Sequence, residues 1–158
     1  MTVQIRTLQA EDRPLLEGIL RSDETFRDDE VGVALELIDE ALADSKSDYW
    51  FRIAEVEGVA AGYLCYGPTP MTDCTFDLYW IVTHAAHRGR RVARSLVEYM
   101  EKDLLERGPK AQVRVETSQS EGYGAARKFY DRLEYPEVAR FKDFYKEGDD
   151  LIVFFKNL

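Results

Sequence analysis

One stretch limits the architecture more than any other. Thr75 to Arg107, TFDLYWIVTHAAHRGRRVARSLVEYMEKDLLER, reads as strand, basic turn and long helix. Thr75 to Val82 is β-branched, aromatic and apolar with no Gly or Pro, which predicts a strand. Its alternation puts Asp77, Tyr79 and Ile81 on one face and Phe76, Leu78, Trp80 and Val82 on the other. Ala93, Val97, Met100 and Leu104 then recur at three- and four-residue spacing, the stripe of an amphipathic helix. Gly108-Pro109 stops it. Between the two lies His87-Arg88-Gly89-Arg90-Arg91, followed by Arg94. A helix N-terminus already carries partial positive charge and unpaired N–H groups. Arginines gathered there are unfavourable unless an anion binds, and phosphate is the anion such ends hold best. A solvated basic turn is the competing reading.

The charge balance sharpens that point. The chain has 158 residues and a formal net charge of −9. So acidic a body repels nucleic acid and anionic membranes over most of its surface. Positive charge concentrated at one turn therefore points to a small polyanion. The length suits a single domain spanning residues 1–158, and no run approaches the ~20 apolar residues of a membrane helix. The opening MTVQIRTLQAEDR lacks the apolar core of a secretion signal, which leads to the expectation of a cytoplasmic protein. Cys65 and Cys74 lack metal-ligand spacing and read as reduced thiols. With only two histidines, no metal site is expected.

The remaining elements follow from pattern. Val3 to Thr7 is a first strand, and a helix opens at Ala10 and reaches Leu20 with Pro14 in its first turn. Arg21 to Glu30 is a polar, mostly acidic segment broken by Phe26. A second helix carries Val33, Leu37, Ile38, Ala41 and Leu42. Tyr49 to Val56 and Val59 to Tyr66 form a hairpin about Glu57-Gly58. Ala111 to Thr117 is a strand, Ser118 to Gly122 a loop, and Tyr123 to Leu133 a helix. Glu137 to Tyr145 and Leu151 to Lys156 close the chain as a hairpin. The order β, α, α, β, β, β, α, β, α, β, β predicts a mixed sheet with helices packed on it. The helix Arg90–Arg107 is expected to be a right-handed crossover between parallel neighbours.

In element order and motifs the chain resembles the Gcn5-related N-acetyltransferase (GNAT) superfamily. That family's cofactor motif is Gln/Arg-x-x-Gly-x-Gly/Ala at a strand-to-helix turn. It falls here on Arg88, Gly89, Arg90, Arg91, Val92 and Ala93, with Arg91 where Gly is usual; the backbone N–H groups can still face a pyrophosphate provided φ there stays negative. A second motif matches Tyr123-Gly124-Ala125-Ala126-Arg127-Lys128-Phe129-Tyr130. Tyr123 stands in place of Asn, and Glu134 in place of a later Gly. The resemblance implies an α/β (α+β) fold with a mixed, mostly antiparallel sheet of about seven strands and about four helices. It implies an N-acetyltransferase using acetyl-CoA as cosubstrate, acting on a primary amine of a small molecule or protein without a covalent enzyme intermediate. An inactive acyl-CoA-binding sensor is the alternative. Cofactor contacts are implied for Ile81, Val82, Arg88 to Ala93, Arg94, Tyr123 and Ala126. Related proteins often form homodimers.

Transfer of an acetyl group to an amine needs a stabilised thiolate and a neutral amine. The resemblance makes Tyr130 the proton donor to the thiolate. A phenol titrates near ~10 and a thiol near ~8.5, and the phenol is expected to hand its proton over. From spacing alone Tyr130 reads as a core aromatic. Asp77 is the first candidate for the base, with Tyr79 and Glu116 behind it and His84 and His87 as turn residues. The acidic Asp23 to Glu30 segment is expected to attract a cationic amine.

Overall fold

The computed structural model describes residues 2–120 and 123–158. Glu121 and Gly122, the end of the expected Ser118–Gly122 loop, lie outside the described residues. Seven strands and four α-helices make an α/β fold: β1 Val3–Thr7, α1 Arg13–Arg21, α2 Asp28–Ala43, β2 Trp50–Val56, β3 Val59–Pro68, β4 Thr75–Thr83, α3 Val92–Arg107, β5 Gln112–Ser118, α4 Gly124–Arg132, β6 Glu137–Lys146 and β7 Asp149–Asn157. Short 3-10 turns at Ala10–Asp12 and Ala85–His87 precede α1 and α3. The chain divides into two compact units, 1–67 with 78–104 and 68–77 with 105–158.

In the first unit the strands lie in the order β1-β2-β3-β4. β1 pairs antiparallel with β2, and β2 with β3. The β2–β3 turn places Glu57 at φ 53° and Gly58 at φ 78°. Two left-handed central residues suit the twist of a two-residue hairpin. The core of this unit joins Leu16, Ile19 and Leu20 of α1 to Val31, Ala34, Leu35 and Ile38 of α2. Both helices close on Phe51, Ile53, Tyr63, Cys65 and Val82. Each such side chain contributes about 1.5–3 kcal/mol by leaving water. Burial pushes the Tyr63 phenol and the Cys65 thiol well above their ordinary titration ranges.

Two differences from the sequence reading concern helix starts. Asp28, Asp29 and Glu30 are the first turn of α2 rather than loop. Acidic side chains at that end complement the helix dipole, which the polar pattern alone did not reveal. α3 begins at Val92, not Arg90.

In the second unit β5 pairs antiparallel with β7, and β7 with β6. Val113 and Val115 of β5 are buried, as are Leu151, Ile152, Val153 and Phe154 of β7 and Tyr130 of α4. β6 departs from regular pairing between Phe141 and Lys146, where Asp143 takes φ 54°. Among the described residues no helix is long and apolar enough to cross a membrane.

Candidate active site

The loop from His84 to Arg91 is fixed from beneath by β3. Its first amide, His84 N–H, donates to Ala61 O at 2.8 Å. The next residue of β3, Gly62, lies so close that a Cβ there would meet Val82 O at 2.7 Å and Val92 Cγ1 at 2.9 Å. Any side chain at that position would push apart the end of β4 and the start of α3. The close approach sets where the loop leaves the strand and where the helix begins.

Within the loop the backbone turns left-handed twice. Gly89 has φ 77° and Arg91 has φ 63°. The condition of a negative φ at Arg91 is therefore not met. This chain places Arg in a left-handed conformation at the motif position where Gly is usual. Left-handed backbone at a non-glycine costs about 1–2 kcal/mol. Arg91 O then accepts from Ser95 N–H at 3.0 Å, so the left-handed residue leads directly into α3. The first amides of an α-helix have no intrahelical acceptor, so this end can receive an anion.

Side chains complete the basic rim. Arg88, Arg90, Arg91 and Arg94 are exposed, Val92 is buried beneath them, and Ala93 is half-buried. Two of these arginines meet carboxylates of the chain itself. Arg88 Nη2 lies 3.2 Å from Asp23 Oδ2, and Arg94 Nε lies 2.8 Å from Glu98 Oε1. On β4, Val82 is buried and Ile81 half-buried. His84 Nδ1 accepts from Ala86 N–H at 3.1 Å, so its acceptor nitrogen is committed to the turn. Tyr79 rests edge-on against Tyr49, with ring centroids 5.2 Å apart.

The acidic segment makes several contacts with arginines of the chain. Asp28 meets Arg21 at 3.4 Å and Asp29 meets Arg27 at 3.1 Å. Glu30 caps the start of α2 by accepting from Arg27 N–H at 2.8 Å. Asp23, Asp28 and Asp29 thus each meet an arginine of the chain.

In the second unit, Asp77 is 8% exposed. Its carboxylate accepts from Arg114 Nε at 2.6 Å and Nη2 at 3.2 Å, and from Thr69 Oγ1 at 2.7 Å. Asp77, the first candidate for the base, is thus held by Arg114 and Thr69. A carboxylate held by a guanidinium and a hydroxyl is fixed in orientation by charge-assisted hydrogen bonds. Arg114 also lies 4.0 Å from the exposed Glu116. Sequence reading missed Arg114 and Thr69. A carboxylate inside a strand needs a cation, and the polar position of Gln-Val-Arg-Val-Glu-Thr was the available signal.

Tyr130 is 5% exposed. Its ring packs against Phe129, Tyr135 and Phe154, with centroids 5.4, 6.0 and 5.4 Å away. Burial pushes its phenol well above the ordinary tyrosine range. It is thus a core aromatic whose hydroxyl stays protonated at neutral pH. Tyr123 precedes the first turn of α4 and Ala126 is half-buried on it. Arg127 Nη1 donates to Ser118 O at 3.0 Å and to Ser120 O at 3.2 Å, bracing the approach to α4. Sequence reading had not singled out this arginine.

The model of the acetyltransferase (GNAT) family matches residues 4–135. The chain belongs to that family. A solved structure from Desulfovibrio desulfuricans, assigned to the GNAT acetyltransferases, shares 34% identity over 98% of both chains with a TM-score of 0.92. The ribosomal-protein-S18-alanine N-acetyltransferase of Escherichia coli is 18% identical, covering 99% of this chain and 94% of its own, with a TM-score of 0.76. The PaiA N-acetyltransferase of Thermoplasma acidophilum, solved with coenzyme A, is 16% identical over 100% of both chains, with a TM-score of 0.75. At such identities these last two share the fold. No curated protein gave a match. Acetyl-CoA is the cosubstrate of the GNAT family.

Arg91 is the position at which the loop's backbone can be tested by itself. In chemical denaturation, Arg91→Gly should unfold within about 1 kcal/mol of the parent, since relief of left-handed strain offsets the entropy of a glycine. Arg91→Val should be less stable than Arg91→Gly by about 1–2 kcal/mol, because a β-branched side chain tolerates φ > 0 least. Equal stabilities would show that residue 91 is not held left-handed.

Proposed function

We propose that this protein is an acetyl-CoA-dependent N-acetyltransferase that moves acetyl from the thioester to a primary amine of a small molecule or protein by direct attack. The observation that carries the reading is the loop backbone. Arg91, at the motif position where Gly is usual, takes a left-handed φ of 63° although its residue type opposes it. Strain kept at a loop position next to a helix N-terminus is a mark of function.

The residues divide the work as follows. Loop amides from Arg88 to Ala93, with the side chains of Arg88, Arg90, Arg91 and Arg94, bind phosphate. The β4 backbone at Ile81 and Val82 pairs with the amides of the pantetheine arm. Tyr123 and Ala126 contribute further contacts to the cosubstrate. In the reaction a C–N bond forms to the acetyl carbon and the C–S bond breaks. The amine's proton leaves through water, with Asp77 the candidate that receives it.

Tyr130 donates a hydrogen bond to the sulfur as charge develops on it. Full proton transfer from a phenol to a thiolate is uphill by about 2 kcal/mol at ordinary titration values, and burial makes it steeper. Its contribution is therefore stabilisation of the thiolate, with protonation following from solvent. This replaces the simple proton hand-over expected from the sequence.

Two results test the assignment. Titration calorimetry with CoA should show Arg88→Ala and Arg91→Ala weakening binding more than Arg107→Ala, which removes the same charge at the far end of α3. The losses should shrink as salt rises, because phosphate contacts are partly screened. Equal effects at all three positions would reduce the loop to a diffuse positive field. Tyr130→Phe keeps the ring and removes one oxygen, so the fold should survive. CoA affinity should hold while kcat falls about 10²-fold, the scale of one lost donor to a developing charge. An unchanged kcat in a folded variant, with chemistry limiting the parent rate, would remove Tyr130 from the mechanism.

A further inference from the structure

The short segment between α1 and α2 is tied at both ends. Ser22 Oγ accepts from Ala85 N–H at 3.1 Å, and its own O–H donates to Ile19 O at 2.7 Å. Asp23 divides its two oxygens. Oδ1 accepts from Thr25 N–H at 2.9 Å and shapes the segment, while Oδ2 meets Arg88 Nη2 at 3.2 Å. Phe26 N–H donates to Asp23 O at 3.3 Å, and the Phe26 ring meets the Trp80 indole of β4 edge-on at 5.4 Å. The segment thus touches the cofactor loop through Ser22 and Asp23 and β4 through Phe26.

We propose that this segment is a latch whose catch is Arg88: Asp23 holds the guanidinium until a phosphate takes it, and release of Asp23 loosens the Phe26–Trp80 contact. The proposal rests on the reading of Arg88–Ala93 as a phosphate loop. A carboxylate and a phosphate compete for the same planar donor. The carboxylate is one acceptor on an arginine whose side chain is 56% exposed, and such pairs are weak. The phosphate also reaches helix amides and neighbouring arginines, so it wins. Every CoA molecule bound must still displace Asp23, so the latch lowers CoA affinity. Coupling between sites is reciprocal. Whatever loosens the segment from the other side, such as an acceptor wedged at Phe26, tightens CoA by the same factor. An exposed pair sets that factor at about two- to fivefold.

Asp23→Asn isolates the catch, because it keeps Oδ1 for Thr25 N–H and removes the charge that binds Arg88. Titration calorimetry with CoA should show Asp23→Asn binding about two- to fivefold tighter than the parent at low salt. The gain should fade at high salt and vanish in an Arg88→Ala background. Trp80 emission, read in a Trp50→Phe background that leaves it the one tryptophan, should shift with CoA. In the CoA-free Asp23→Asn protein it should already be part-way to the bound value. If Asp23→Asn and the parent bind CoA equally while Arg88→Ala weakens it, the latch is wrong and the phosphate loop stands. If none of these proteins binds CoA, the loop reading fails and the latch falls with it.

Discussion

The candidate site depends on how β3 holds the end of β4. Ala61 O fixes the amide of His84 at 2.8 Å, and Gly62 brings β3 within contact of Val82 and Val92. That contact leaves the eight residues between Thr83 and Val92 a short path from strand to helix. They negotiate it with a 3-10 turn and two left-handed residues. The loop backbone is therefore set by packing beneath it rather than by glycine content. Arg91 can occupy a glycine's conformation because its neighbours over-determine it. The amides at the start of α3 are placed by this arrangement before any arginine side chain is considered.

Charge is the second organising term. On a chain of net charge −9, arginine is used locally and in pairs. Arg6 binds Asp12 at 2.7 Å and Glu55 at 2.6 Å, tying β1 to the start of α1 and to β2. Arg13 binds Asp39 at 2.6 Å and so joins α1 to α2. Arg114 clamps Asp77. Most of these pairs are part-exposed and individually weak. Their value lies in fixing geometry around groups that would otherwise be buried without partners. Arg90 and Arg91 are exposed at the loop, where no packing demand explains two guanidinium groups.

Much of the architecture was legible from pattern. Alternation over Thr75–Val82 located β4, and the stripe from Ala93 to Leu104 located α3, since both are set by burial of one face. Glu57-Gly58 announced its hairpin because few dipeptides suit that turn. What could not be read was long-range pairing. Nothing near Asp77 in the chain names Arg114, 37 residues away. Nothing near Arg88 names Asp23, 65 residues earlier in the chain. The conformation of Arg91 was also hidden, because the residue type argues against what the fold imposes. The buried environment of Tyr130 follows from β7 packing on α4, which local spacing reports only as an apolar stripe.

The account is tested most directly by following free thiol from acetyl-CoA while amines are varied: polyamines, amino acids, aminoglycosides and peptides with free N-termini or lysines. It predicts that thiol release depends on at least one amine, saturates with it, and yields an equal amount of the N-acetylated product by mass spectrometry. Thiol release at one rate with and without every amine, with acetate as the sole product, would contradict it.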